Sequence, residues 1–420
     1  MLDLKFILQN PQKVIENNKR RRRDDIDVFL TVRLAEEKKA KQQEVEELRA
    51  KINANAALVK QASDTERQGF IQDGQSLKIQ IKELESHLVE LEQELEQELL
   101  LYPNILRDDV KTGSSDVDNE ELRKVGQIPE FDFEIKDHVA LGESLGLIDS
   151  DRAGKVSGSR FTYLKGDLVL LEFALIQYTL TTSLQEKFIP VLPPHIISRG
   201  AMASMGYLAH GGEEEVYHLK NDDAVLIGTS EQAIGPMHMN EILKEEELPL
   251  RYIGFSPCYR REAGSHGKDV RGILRMHQFD KIEMFSFTTP EQSDQEHLFL
   301  LSMEEKLMQG LKLPYRVLRL CSSDIGAPSA RTYDIETWMP GQEKYRETHS
   351  TSNTTDFQTR RLKIRYKTKE GKNEFAHALN GTAFALGRIM IAILENYQQK
   401  DGKVKIPEVL QSWMQKEMIG

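Results

Sequence analysis

"YRREAGSHGKDVRGILRMHQFDKIE", residues Tyr259 to Glu283, sets four arginines and two lysines around three glycines in a chain that is acidic overall. Apolar residues flank it on both sides, so it reads as two strands joined by a glycine-bearing loop. Side chains alternate along a strand. Arg260 and Glu262 are therefore expected on one face of the first strand, and Phe279, Lys281 and Glu283 on one face of the second. A guanidinium, an aromatic plane and carboxylates on one surface suit a nucleotide and a small ammonium-bearing substrate. Arginine would take phosphate, phenylalanine would stack a purine, and glutamate would accept from N–H donors. The same spacing fits an ordinary salt-bridged hairpin, and spacing alone does not separate the two.

Outward from this stretch, "AVLIGTSEQ", "YRVLRLC" and "IPVLPPHIIS" are further short runs with strand character. "GDLVLLEFALIQYTLTTSLQEKF" is apolar at helical spacing, and a second helix is expected around Glu291 to Gly310. The mixture predicts an α+β domain on a mostly antiparallel sheet. The sequence has no glycine-rich loop of the P-loop or dinucleotide type and no His-Glu-x-x-His zinc site, so any phosphate chemistry must rest on arginine.

The first hundred residues are built differently. Leu77, Ile81, Leu84, Leu88, Leu91 and Leu95 alternate by four and three, the seam of a coiled coil, and Val45, Leu48, Ile52 and Val59 carry a looser stripe before it. Between them "QASDTERQG", Gln61 to Gly69, is polar and breaks the pattern. The prediction is an antiparallel arm of two helices of roughly 30 residues, roughly 45 Å long. Lysines and arginines concentrate on the first helix and glutamates on the second, so one flank suits RNA and the other repels it; the same pattern fits a dimerising or purely structural coiled coil with solvated charges, the stronger reading for an isolated heptad run. The "KRRRR" run, Lys19 to Arg23, reads either as a phosphate contact or as a solvated loop between short helices. "LYPNILRDDVKTGSSDVDNEE" has the composition of a linker, which places the arm at residues 1–104 and a second domain at 105–420.

Composition bounds the rest. The chain has 420 residues, a formal net charge of -11 and 29% charged residues. This excludes a surface that is basic throughout but permits a local basic stripe on RNA. Cys258 and Cys321 have no metal-ligand spacing. No signal peptide or membrane span is apparent, so a soluble, cytoplasmic protein is expected, with no membrane partner.

Read as words, Tyr259–Glu283 closely resembles motif 2 of the bacterial-type seryl-tRNA synthetases, which are class II aminoacyl-tRNA synthetases. "IPVLPPHII" resembles motif 1, "GTSEQ" the Thr-x-Glu motif and "KYRETHSTSNTTDFQTRR" the segment with the metal-site glutamate. "HALNGTAFALGRIMIAILENYQ" resembles motif 3, and the likeness extends over essentially the whole chain, arm included. The resemblance implies ATP-dependent activation of L-serine and transfer to tRNA(Ser), with tRNA(Sec) a further candidate acceptor, by a homodimer using Mg2+. Carried onto matching residues, it implies that Arg260 and Arg388 are catalytic, Arg260 at the α-phosphate and serine carboxylate and Arg388 at the outer phosphates. Glu262 would meet the adenine amino group and Phe279 its ring, with Arg261, Thr348 and His349 beside the nucleotide. Glu347 and Ser350 would hold the metal. Thr229, Ser230, Glu231, Glu283 and Thr382 would surround serine, the last two at its hydroxyl. The chain departs from the family at "ETHS", where His349 replaces a small hydroxyl residue.

Three alternatives belong to other classes. A ligase that loads a carrier protein would share the core and lack the arm. A regulatory relative would lose Arg260 or Arg388, and a coiled-coil scaffold would need neither motif 2 nor motif 3.

Overall fold

The computed structural model describes residues 1–208, 212–263 and 272–420, so the loop of the opening stretch, 264–271, lies outside the described residues. The chain divides into two compact units, Leu2–Pro103 and Asn104–Gly420, with Met1 belonging to the second.

In the first unit, two short helices, α1 (Leu4–Gln9) and α2 (Pro11–Arg20), precede two long ones, α3 (Val28–Gln61) and α4 (Asp64–Leu101). Asp27 caps α3 by accepting from the amides of Phe29 and Leu30. Ala62 and Ser63 alone separate the long helices. Ser63 and Glu66 form a capping box that restarts the helix at once, so the turn is far shorter than "QASDTERQG". Gln61, Ser63 and residues 66–69 of that stretch are exposed, and most of it is helical. The helices have 34 and 38 residues, hence lengths of about 50 and 57 Å rather than the expected 45 Å. Val45, Leu48 and Ile81 are buried along the seam, with Ile52, Leu77, Leu84 and Leu88 packed beside them. Two cations of α3 are neutralised by carboxylates of α4, Lys38 by Glu92 at 2.9 Å and Arg49 by Glu85 at 2.7 Å. In the basic run, Lys19 and Arg20 end α2, and Arg21 is buried rather than solvated.

The second unit is built on an eight-stranded sheet. Its strands are β1 (Glu120–Val125), β2 (Ile189–Val191), β3 (Leu250–Tyr259), β4 (Gln278–Thr288), β5 (Tyr315–Arg319), β6 (Arg331–Met339), β7 (Lys344–Thr355) and β8 (His377–Ala385). Their spatial order is β1-β5-β6-β7-β8-β4-β3-β2. Every pairing is antiparallel except that of β2 with β3. Helices α5 (Asp167–Gln185), α6 (Ser293–Leu311) and α7 (Leu386–Asn396) share one core with the sheet. Ile282, Met284, Ile335 and Leu379 belong to that core together with Leu300, Leu307 and Ile389, each worth about 1.5–3 kcal/mol by burial. The period-2 alternation of β4 leaves Phe279, Lys281 and Glu283 for the other face, where the sheet opens into a cavity.

The expected linker is packed. Asn104 donates to the carbonyls of Pro328 and Thr354, and Leu106 and Val110 are buried against Leu318, Leu320 and Ile325. Its Gly, Ser and Asp content marks turns on the domain rather than a free tether. No helix among the described residues is long and apolar enough to cross a membrane.

Candidate active site

A cavity of about 830 Å³ opens over β3, β4, β6, β7 and β8. Thr229, Glu231, Arg260, Glu262, Phe279, Glu283, Glu347, Thr348, Ser350, Thr382 and Arg388 all line it. Residues more than 150 positions apart thus meet because antiparallel neighbours place their alternate side chains on one face.

The strand assignment for Arg260 and Glu262 needs correction. Strand β3 ends at Tyr259, and Glu262 has a positive φ of 50°, so simple alternation does not relate the two. Arg260 is instead fixed by its own contacts. Its Nε donates to the Gly228 carbonyl at 3.1 Å, and its guanidinium lies over the Phe279 ring at 5.4 Å from the centroid. Glu262 forms an ion pair with Arg275.

A second cluster is acidic and mostly buried. Lys281 Nζ lies 2.5 Å from Glu283 Oε2, and the Thr382 hydroxyl donates to the same oxygen at 3.2 Å. Glu231 accepts from the Tyr207 hydroxyl and, at 3.2 Å, from Asn380 Nδ2. Burial first, then the negative charge of Glu283, raises the Glu231 carboxyl to about 7. Burial, reinforced by Glu231, pushes the Tyr207 phenol well above its ordinary value. Thr229 Oγ1 is buried with no hydrogen-bond partner among the described residues, a polar atom left for a ligand.

At the third corner, β6 and β7 pair with a bulge. Ile335 faces His349 while the next residue, Glu336, faces Glu347, leaving Thr348 as the extra residue. Glu347 and Ser350 are three apart and would point to opposite faces of a regular strand; the bulge brings both to the cavity. Arg388, near the start of α7, donates to the Glu347 carbonyl at 2.7 Å and lies 3.4 Å from its carboxylate. Asp334, opposite Ser350, also lines the cavity. Burial and then the charge of Glu347 push its carboxyl well above the usual range, and its Oδ1 has no hydrogen-bond partner among the described residues.

Three expected site residues are not in the cavity wall. Ser230 is buried and its hydroxyl donates to the Gly254 carbonyl at 3.3 Å, tying the loop to β3. Arg261 is exposed, with its amide on the Glu215 carbonyl. His349 sits on the opposite face of β7. It is fully buried beside Phe384, with Nδ1 2.8 Å from Thr348 Oγ1, and burial lowers its pKa to about 3, so the ring is neutral. The bulge that turns Glu347 and Ser350 outward turns His349 inward.

Other residues of the site went unassigned in the sequence. Asn380 precedes Thr382 by two in "HALNGT", so alternation was a usable signal for it; Lys281 was placed on this face by alternation but given no role. Asp334 and Tyr207 carried none, because one lies in an unremarkable strand and the other in a loop.

Comparison with known proteins agrees over the full length. Residues 1–106 match the seryl-tRNA synthetase N-terminal domain, and residues 216–397 match the tRNA synthetase class II core domain (G, H, P, S and T). The serine–tRNA ligase of Petrotoga mobilis is 45% identical over 425 residues, covering 100% of both chains. That of Rubrobacter xylanophilus is 43% identical, covering 100% of this chain and 99% of its own. The crystal structure of seryl-tRNA synthetase from Pyrococcus horikoshii complexed with ATP superposes with a TM-score of 0.95 at 37% identity, covering 100% of this chain and 99% of that one. The chain belongs to the seryl-tRNA synthetase family, within the class II synthetases.

Proposed function

We propose that the chain activates L-serine with ATP to seryl-adenylate and transfers the seryl group to the 3′ end of tRNA(Ser). The observation that carries this reading is the meeting, in one cavity, of an arginine–phenylalanine platform and a buried acidic pocket. ATP lies on the platform: Phe279 takes the adenine ring, Arg260 the α-phosphate, and Arg388 the outer phosphates. Glu262 accepts from the adenine amino group. Glu231 and Thr229 receive the serine ammonium, and Glu283 with Thr382 receives its hydroxyl. Alanine has no hydroxyl to hydrogen-bond with those buried groups, and the lost bond discriminates against it.

Mg2+ fits the third corner. Glu347, Ser350 and the unpartnered Asp334 oxygen form a set of hard donors, and phosphate oxygens complete such a shell. Bound there, the ion neutralises phosphate charge. The protein's own work is alignment and charge stabilisation. The serine carboxylate, already ionised, attacks the α-phosphorus as the bond to pyrophosphate breaks, and Arg260 stabilises the charge that builds on the α-phosphate oxygens. A ribose hydroxyl at the tRNA 3′ end then attacks the acyl carbon and AMP leaves.

The arm is the element for gripping tRNA, the working form is a cytoplasmic homodimer, and the match of residues 1–106 disfavours a carrier-protein ligase. ATP–pyrophosphate exchange with each of the twenty amino acids tests the reading. Serine alone should support rapid exchange, and exchange driven by another amino acid would overturn it.

A further inference from the structure

Glu304 is a carboxylic acid in the core, on the opposite side of the sheet from the cavity. It lies on α6, is fully buried, and neither carboxyl oxygen has a hydrogen-bond partner among the described residues. Such a group is costly to bury, and nothing in the two-step reaction uses it. Its position gives it a task. A Cβ built on Gly381 would lie 3.2 Å from Glu304 Oε1, 3.1 Å from Thr351 Oγ1 and 3.3 Å from Met284 Cε. The Glu304 carboxyl thus abuts the space that a side chain at Gly381 would occupy.

The neighbours of Gly381 hold the two carboxylates of the acidic pocket. Asn380 donates to Glu231, and Thr382 donates to Glu283. Thr351, which shares the space behind Gly381, donates to the Asn380 carbonyl at 2.8 Å. Strand β8 is therefore supported from behind at the one residue between its two substrate-pocket contacts. We propose that Glu304 is a positioning residue for the amino-acid pocket, its carboxyl propping Gly381 so that Asn380 and Thr382 present Glu231 and Glu283 to serine. Its surroundings favour the neutral acid. Burial, then the charges of Glu283 and Asp334, pushes its carboxyl well above the usual range. An ionised form would face like charge across the sheet.

This inference rests on the reading of the cavity as the serine site. It is tested on the full-length protein by pyrophosphate exchange, with serine and ATP varied separately. Glu304→Ala should raise the KM for serine about tenfold and leave the KM for ATP unchanged. Glu304→Gln, neutral and of the same shape, should restore the parent value. If Glu304→Ala does not fold, Gly381→Ala supplies the second test. Its methyl group crowds Glu304 and should raise the serine KM alone, and the effect should shrink when Glu304→Ala is added, a coupling expected only of groups in contact. A rise in both KM values together, failure of Gln to restore, or additivity of the two alanine changes would overturn the proposal. Failure of the underlying reading is distinct: the parent protein would then show no serine-dependent exchange at all.

Discussion

Arg260 stands one residue beyond the end of β3, anchored by Gly228 and laid over Phe279. Its removal deletes charge stabilisation at the reacting phosphate while leaving the strand intact. Arg260→Ala should lower the rate of pyrophosphate exchange by about 2–4 kcal/mol of transition-state stabilisation, and an unchanged rate would remove Arg260 from the reaction. Glu231 makes a second prediction. Its pKa is raised to about 7, so below that pH it is neutral and cannot pair with an ammonium, and above it the carboxylate can. The KM for serine should therefore fall as pH rises through about 7 and then level off, with no such step for ATP. Glu231→Gln should flatten the profile, holding the KM above about pH 7 at the high value the parent shows below it. At this scale the sequence was legible where side chains follow strand alternation, as in Phe279, Lys281 and Glu283. It was not legible at the Thr348 bulge, since a one-residue insertion in one strand is set by the partner strand. His349, which the resemblance implied beside the nucleotide, lies in the core.

At the scale of elements, α5 and the segment after it present apolar groups to solvent. Phe173 and Leu184 on α5, with Ile189 and Ile196 beyond it, are exposed, and Leu192 is 81% exposed. A contiguous stretch of sequence with this many exposed large apolar side chains calls for a covering surface. A two-fold partner using the same face is the expected one. Light scattering should give twice the chain mass of 48.1 kDa, and Phe173→Glu combined with Leu192→Glu should shift it to the single-chain mass with loss of activity. A parent protein that is monomeric and active would contradict this. The heptad seam of the arm was readable because Leu77 to Leu95 repeat on one helical face. The length of its turn was not, since polar exposed helix and polar loop have the same composition; Ser63 and Glu66, spaced as a capping box, were the signal that the helix restarts there.

The whole molecule joins two units that were distinguishable in sequence by period, 3.5 in one and a mixture of 2 and 3.6 in the other. The packing of the segment after Pro103 was harder to read, because its Gly- and Ser-containing composition suits a free linker while Asn104, Leu106 and Val110 hold it on the second unit. The hairpin buries its seam within itself, so its loss should not dismantle the sheet that carries the cavity. In the proposed reaction the cavity activates serine and the arm brings tRNA to it. The most direct measurement compares the full chain with a chain lacking Leu34 to Leu99, closed by a short loop, in serine-dependent pyrophosphate exchange and in serine charging of total tRNA. The full chain should do both, and the shortened chain should retain exchange while losing charging. Equal charging by the two chains would remove the arm from tRNA binding, and no serine charging by the full chain would remove the proposed activity.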